Sequence, residues 1–386
     1  MAPFAPHPVR AALLAAALVW LSPRALRAEE AVRYKYQDYR EAAGRIAVQV
    51  HGATVEKNLG TDTKLKVEGV LDAIAGATPT GEPAPAGSNQ VPLAKLTERR
   101  RAWNATVARQ FSGGALTVGA GRSLESDYDS VGWSVNGQAE FNQKNTTLLA
   151  GLAGTADEVR VFFQQPWADK RTRDAILGVT QLLDPRTSVT LNLTWGRQRG
   201  FLADPYKLVA RTVEIIPGLS LPLTFAENRP DVRDKRLALA ALNRAFPQLR
   251  GALDASYRHH RDSYGVRAHT VDLAWFQQLG DRVIFRPGYR FHDQSAARFY
   301  RYQFDGTNIM PSEGPPRPQG PFYSSDYRLS ALQSHTYGFK VIWDVTAALQ
   351  LDAAYERYSM HGRDGVTPES AYCRADILTV GARFGW

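Results

Sequence analysis

Along most of the chain beyond residue 30, apolar and polar residues alternate one for one. Val131, Trp133, Val135, Gly137, Ala139 and Phe141 interleave with Gly132, Ser134, Asn136, Gln138, Glu140 and Asn142. Val189, Leu191, Leu193 and Trp195 interleave with Ser188, Thr190, Asn192 and Thr194. Leu349, Leu351, Ala353 and Tyr355 interleave with Gln350, Asp352, Ala354 and Glu356. Leu65, Val67 and Leu71 share one face, opposite Lys64, Lys66, Glu68 and Asp72. Successive side chains of a strand point to opposite sides, so a period of two describes a sheet with one apolar and one polar face. No stripe at helical spacing competes over comparable lengths. The segments run to about ten residues, the length a tilted strand needs to cross a bilayer.

The breaks between segments alternate in length. Short ones fall at Ser112–Gly114, Asp184–Thr187, Gly280–Arg282 and Asp344–Ala347; long ones span roughly 75–99, 155–173, 199–235, 304–326 and 360–373. A soluble sandwich also alternates, but short turns at one end and long loops at the other are the pattern of an outer-membrane barrel. Strands are expected near 32–39, 45–57, 63–74, 100–111, 115–124, 130–142, 146–154 and 174–183. They continue near 188–198, 236–246, 252–262, 268–279, 283–300, 331–345, 348–359 and 374–386. The expected fold is therefore all-β: a single antiparallel transmembrane β-barrel of about 16 strands, with 14 as the alternative count, long external loops and short periplasmic turns. An even number closes the sheet and leaves no edge.

Both ends of the chain fit export. Arg10 precedes the apolar run Ala11–Leu21, then Ser22-Pro23 and the small residue Ala28 before Glu29-Glu30. This reads as a secretory signal peptide over 1–28, too short to span a membrane, with the barrel over 29–386. At the other end Leu378, Val380, Ala382, Phe384 and Trp386 form one apolar face ending on an aromatic terminal residue. That face is the expected assembly signal read by barrel-assembly machinery. The mean hydropathy of −0.33 agrees with strands whose polar inner face offsets an apolar outer one.

The formal net charge of +9 falls once Arg10, Arg24 and Arg27 leave with the signal. Basic residues form no single run, so no nucleic-acid partner is expected. The single cysteine, Cys373, excludes an internal disulfide, a four-cysteine metal site and a CxxC redox pair.

Several stretches resemble the domain of unknown function 3570 family. They include Tyr34–Tyr39, Asp72–Pro79, Glu125–Tyr128, Asn142–Thr147 and Gly200–Lys207. Arg229-Pro230, His269-Thr270, Tyr289–Tyr300 and Ser325–Ser330 complete the set, with Ala75 standing where the family pattern suggests Thr. The resemblance covers nearly the whole mature chain. It implies an exported barrel of unassigned activity in redox surroundings, and gives no residue a role.

No nucleotide loop, HExxH or GxSxG is present, and neither enzyme activity, catalytic residue, metal nor cofactor is expected. The adjacent His259 and His260 would point to opposite faces of a strand and cannot chelate together. A Ser263–His259 pair for lipid hydrolysis is disfavoured because Ser263 falls in a turn. The alternation directs Lys66, Glu68, Glu140, Asp254, Arg258, Asp272, Arg286, Arg290, Lys340, Asp344 and Glu356 into the lumen. Arg258, Arg286 and Arg290 would form a basic wall facing an acidic one. The apolar middle of loop 199–235, Val213–Leu223, is expected to constrict the lumen or to meet a partner. Asp127, Tyr128, Asp204 and Tyr206 fall at the same external end, where loop-locking hydrogen bonds are expected. The functional expectation is a porin-like channel for small polar solutes. The alternative is a non-conducting scaffold for a periplasmic or surface partner such as a redox lipoprotein. Outer-membrane lipid is the expected surrounding, and no oligomeric state follows from the sequence.

Trp386→Asp is expected to lower the amount of heat-modifiable barrel recovered in the outer membrane. Migration and yield unchanged from the parent protein would contradict an assembly role for this strand.

Overall fold

In a computed structural model of the protein, residues 30–161, 167–305, 307, 309 and 319–386 are described. The expected signal at 1–28 lies outside the described residues. The strands are β1 (Ala31–Glu41), β2 (Ala47–Asn58), β3 (Thr63–Pro79), β4 (Leu93–Phe111), β5 (Gly114–Leu124) and β6 (Tyr128–Phe141). Then come β7 (Thr146–Val159), β8 (Ala168–Asp184), β9 (Thr187–Gly200), β10 (Leu208–Ile216), β11 (Leu219–Ala226) and β12 (Val232–Phe246). The chain ends with β13 (Gly251–Asp262), β14 (Arg267–Leu279), β15 (Val283–Gln294), β16 (Leu332–Asp344), β17 (Leu349–Gly362) and β18 (Arg374–Gly385).

Among the described residues, all of these except β10 and β11 close into one antiparallel barrel of sixteen strands in sequence order, with β12 following β9. Closure is made by β1 on β18, from Ala31 opposite Gly385 to Glu41 opposite Ala375. Just beyond the seam, the Trp386 indole donates to Glu30 Oε2 at 2.8 Å. A closed ladder pairs every strand on both sides, which is what a β-structure needs where no water reaches the backbone.

Direct cross-strand partners share a face, so the exposed apolar residues define the outside. Val118 lies between Val107 and Val135, and all three are exposed. The face that ends the chain is outward too: Leu378, Val380, Phe384 and Trp386 are all exposed. Side chains between them turn inward. The turns at the end holding both termini are short. The opposite end carries the long connections, and three of the four buried apolar clusters lie there.

Several boundaries differ from the sequence reading; β7 runs on to Val159 and β8 begins at Ala168, both inside the break expected at 155–173. β3 and β4 run on to Pro79 and back from Leu93, so the loop expected at 75–99 shrinks to 80–92. β15 stops at Gln294 rather than residue 300, because Ala297, Tyr300 and Leu329 leave the sheet to pack with Tyr264 and Val266. The connection expected as a loop at 199–235 contains the hairpin β10–β11, paired from Leu208 opposite Ala226 to Ile216 opposite Leu219.

An arginine on the outer face at mid-strand must lose its hydration, whereas one on the inner face need not. Val118→Arg is expected to destabilise the barrel by about 2–4 kcal/mol in reversible unfolding into lipid vesicles, and Thr117→Arg by much less. Equal costs at both positions would contradict this assignment of faces.

Candidate functional site

The inner wall is lined with charge. The register puts Lys66, Glu68, Glu140, Asp254, Arg258, Asp272, Arg286, Arg290, Lys340, Asp344 and Glu356 at positions alternating with the exposed apolar residues. Glu68, for example, stands between Thr54 and Asn104, while its neighbour Val67 is exposed.

These charges do not form two opposed walls. Register sets Asp272 directly across from Arg290 and the two are ion-paired, while it also sets Arg286 across from Lys340. Lys66 meets Glu68 at 2.7 Å, Lys340 meets Asp352 at 2.8 Å, and Lys144 meets Glu140 at 3.3 Å. Arg33 and Lys64 share Glu56 at 3.0 and 3.2 Å. Arg286 lies 5.2 Å above the Phe276 ring, Asp344 accepts from Gln350 at 2.7 Å, and Asp254 and Arg258 are also engaged. The expected basic wall of Arg258, Arg286 and Arg290 is thus corrected to a set of engaged charges. Their residual field is local rather than transverse.

The denser polar centre lies across the mouth. Asp204 and Lys207 come from the connection after β9, Glu227 and Arg229 from the stretch before β12, and Asp326 and Arg328 from the connection after β15. Arg229 pairs with Glu227 and Asp326, both at 2.7 Å. Arg328 pairs with Asp326 at 2.6 Å and with Asp204. The Ser324 hydroxyl donates to Glu227 at 2.5 Å. Lys207, only 2% exposed, donates to Thr78 Oγ1 at 3.1 Å and to the Pro79 carbonyl at the end of β3. In the ring order β3 stands seven steps from β12, close to diametrically opposite. A network that joins them must cross the opening. Gly81 permits the crossing: it has φ +100°, and a Cβ there would sit 2.6 Å from the Leu208 carbonyl oxygen.

The cluster holds three acids and three bases, and burial acts on each. Burial would raise the Asp326 carboxyl, but the Arg328 and Arg229 guanidinium groups hold it far below the carboxylate range. Asp204 is likewise lowered against its burial, chiefly by Arg328. Glu227 is raised, because burial together with Asp326 and Asp204 outweighs Arg229. Burial pushes the Lys207 ammonium down. Buried ion pairs of this sort specify one arrangement more than they add stability, and removing one partner leaves an uncompensated charge at about 3–5 kcal/mol.

The external motifs join this cap. Tyr206 donates its hydroxyl to Asp127, and its amide to Asp204 Oδ1 at 2.9 Å. Tyr128 accepts from Lys170 at 3.0 Å. The apolar middle of the long connection is not packed into the lumen as expected. It forms the end of the β10–β11 hairpin, where Ile215, Ile216, Leu219 and Leu221 are exposed. The hairpin base is what packs, with Val209 and Phe225 against Phe304, Ile309 and Tyr323.

Sequence reasoning missed Glu227, Arg229, Asp326 and Arg328 as a unit, although Arg229-Pro230 and Ser325–Ser330 stood among the family stretches. Elsewhere, His259 lies against His269 with the rings tilted and their centroids 5.0 Å apart, and the Ser263 hydroxyl accepts the Asp234 amide at 3.0 Å. Cys373 is buried and its thiol is pushed up to about 11. Among the described residues, no three His, Cys, Asp or Glu side chains are grouped to hold a metal ion.

Comparison with solved structures returns outer-membrane proteins. A bacterial polysaccharide outer membrane secretin matches at 9% identity with a TM-score of 0.50, over 94% of this chain and 100% of that one. Pseudomonas aeruginosa OccK2 (OpdF), solved in complex with glucuronate, matches at 11% identity with a TM-score of 0.43, over 92% of this chain and 98% of that one. A mutant of the ferric enterobactin receptor PfeA of Pseudomonas aeruginosa matches at 14% and 0.45 over 87% of this chain, which spans about half (54%) of that receptor. At such identities the likeness is one of fold. No curated protein matches the sequence. The sequence profile described as "Protein of unknown function (DUF3570)" matches residues 10–369, and the chain belongs to that family.

Proposed function

We propose that this protein is a narrow outer-membrane channel for small polar solutes, constricted at its external mouth by a fixed loop cap. The carrying observation is the ionic cluster of Asp204, Lys207, Glu227, Arg229, Asp326 and Arg328, which ties nearly opposite sides of the ring together over a charge-lined lumen. An open general porin has no need of such a crossing. A polar, fully hydrated interior serves solutes that carry hydrogen-bonding groups, and close pairing of opposite charges favours no one sign of ion.

A second reading is supported by the exposed apolar tip of β10–β11. Ile215, Ile216, Leu219 and Leu221 together offer a patch that a protein partner could cover. In that case the barrel is a non-conducting scaffold.

Purified protein in a planar bilayer is expected to give small, stable conductance steps that scale with salt. Arg229→Ala, which leaves Asp326 and Glu227 short of a counter-charge, is expected to loosen the cap and enlarge the steps. Silence from correctly folded parent and variant alike would eliminate the channel and leave the scaffold.

The cap also has a pH signature. The lowered Asp204 and Asp326 contribute stability that is complete above their unfolded pKa of about 3.9 and is lost as pH falls through their lower folded values. The raised Glu227 acts with the opposite sign and is relieved as pH falls. Step size is therefore expected to become larger and noisier as pH falls below about 4, whereas protonation of the raised Glu227 above that pH relieves the cluster and does not loosen the cap. Steps of unchanged size and noise down to about pH 3 would rule out control by this cluster.

A further inference from the structure

Seven arginines crowd one sector of the outer face, just beyond the apolar band at the loop end. Arg171 and Arg173 are on β8, Arg197 and Arg199 on β9, Arg236 on β12, Arg261 on β13 and Arg267 on β14. All seven are exposed, and these five strands are consecutive around the ring. Their outward assignment follows from register: Arg173 and Arg197 are opposed two pairs along from Ala175 and Trp195, and four from Leu177 and Leu193. Leu177, Leu193 and Trp195 are exposed apolar residues of the outer band.

The pairing within the sector runs against ordinary sheet design. Arg171 is directly opposite Arg199, and Arg173 directly opposite Arg197. Arg261 is directly opposite Arg236 on one side and Arg267 on the other. Like charges directly across a ladder sit about 5 Å apart at Cβ and destabilise it. Two acids on these five strands share this face, Asp234 and Asp169. Asp234 is bonded in bidentate fashion by Arg197, at 2.5 and 2.9 Å, and Asp169 stands at the loop end of β8. The seven arginines outnumber the acids around them, even with the exposed Asp231 and with Glu158 of β7 opposite Asp169. Inside the barrel a like pair such as Arg286 opposite Lys340 has Asp352 within 2.8 Å of the lysine, whereas the outer sector sets four arginine pairs in register around one bidentate acid.

We infer that this sector binds the phosphate groups of an anionic lipid headgroup in the outer leaflet, with the acyl chains lying on the apolar band below. Guanidinium groups bind phosphate through paired, charge-assisted hydrogen bonds, and a phosphate between two opposed arginines turns a repulsive pair into a bridged one. Continuity with the lipid-facing band selects a lipid over a soluble anion. Trp195 and Tyr257, both exposed on the same strands, mark the interfacial depth at which headgroups lie. The inference depends on the barrel spanning a bilayer and is independent of whether its lumen conducts.

The test is native mass spectrometry of the full barrel released from detergent and titrated with diphosphoryl lipid A. Heat-modifiable migration first confirms that each variant is folded. The Arg236→Ala/Arg261→Ala/Arg267→Ala protein is expected to lose roughly tenfold or more in affinity. The corresponding triple Lys protein keeps most of it, and Arg109→Ala, at the opposite end of the outer face, binds like the parent. Where the triple Ala protein does not assemble, Arg261→Ala alone carries the test, because that residue is central to the row. Equal binding by parent and variant would overturn the proposal, as would equal binding of dephosphorylated lipid A. Inorganic phosphate binding as tightly as lipid A would also overturn it, by making the site one for a soluble anion.

Discussion

Closure of the backbone ladder is the constraint on which everything else in this molecule rests. In a bilayer each strand must give all of its amide and carbonyl groups to neighbours, so β1 must find β18 with no strand left over. Closure then fixes the face of every side chain, because direct partners share a side and successive residues do not. One parity, set once around the ring, makes Val118 a lipid contact and Thr117 an interior residue. The same parity sends Glu68 inward and Leu378 outward.

Where water returns, at the loop end, the logic changes from backbone to side chains. The cap has no continuous sheet to organise it, and buried charge takes over. Asp326 and Arg328 sit two residues apart on one connection, yet their partners Arg229, Glu227 and Asp204 come from another. Each carboxylate needs its guanidinium because neither can be hydrated once buried. That mutual requirement makes the crossing a defined structure rather than a collapsed one. The apolar clusters beside it, such as Tyr264 with Ala297, Tyr300 and Leu329, add burial without dictating which side chains meet.

This division explains what could be read from sequence. Alternation is local, so strand number, the interior placement of Glu140 and Lys340 and the outward face ending on Trp386 were legible from neighbouring residues alone. Tyr206 and Asp127 were legible as external, loop-locking residues, but that they partner each other across two loops was not. The β10–β11 hairpin was signalled by Pro217-Gly218, a turn pair between apolar runs, yet the surrounding apolarity suggested lumen packing instead. The ionic cluster had no sequence period at all: its members meet only once the ring has closed. The expected basic wall failed for a related reason. Register sets Asp272 against Arg290, and one strand read in isolation does not reveal what its neighbour places opposite.

Charge is therefore distributed by solvent rather than by residue count. Inside the barrel, where solutes would pass, opposite charges stand within ion-pair distance and their fields cancel over a few ångströms. In the cap, three acids and three bases balance, with Glu227, Asp326 and Lys207 buried and Asp204 and Arg328 at its edge. The surplus of arginine lies on the outer rim, the one surface whose neighbour is neither bulk water nor this chain. A net positive protein that neutralises its interior and concentrates its excess in opposed pairs at the headgroup level keeps an electrostatic gap there. A doubly charged phosphate fits such a gap better than any side chain, since it can face two guanidinium groups at once without bending the ladder that closes the barrel.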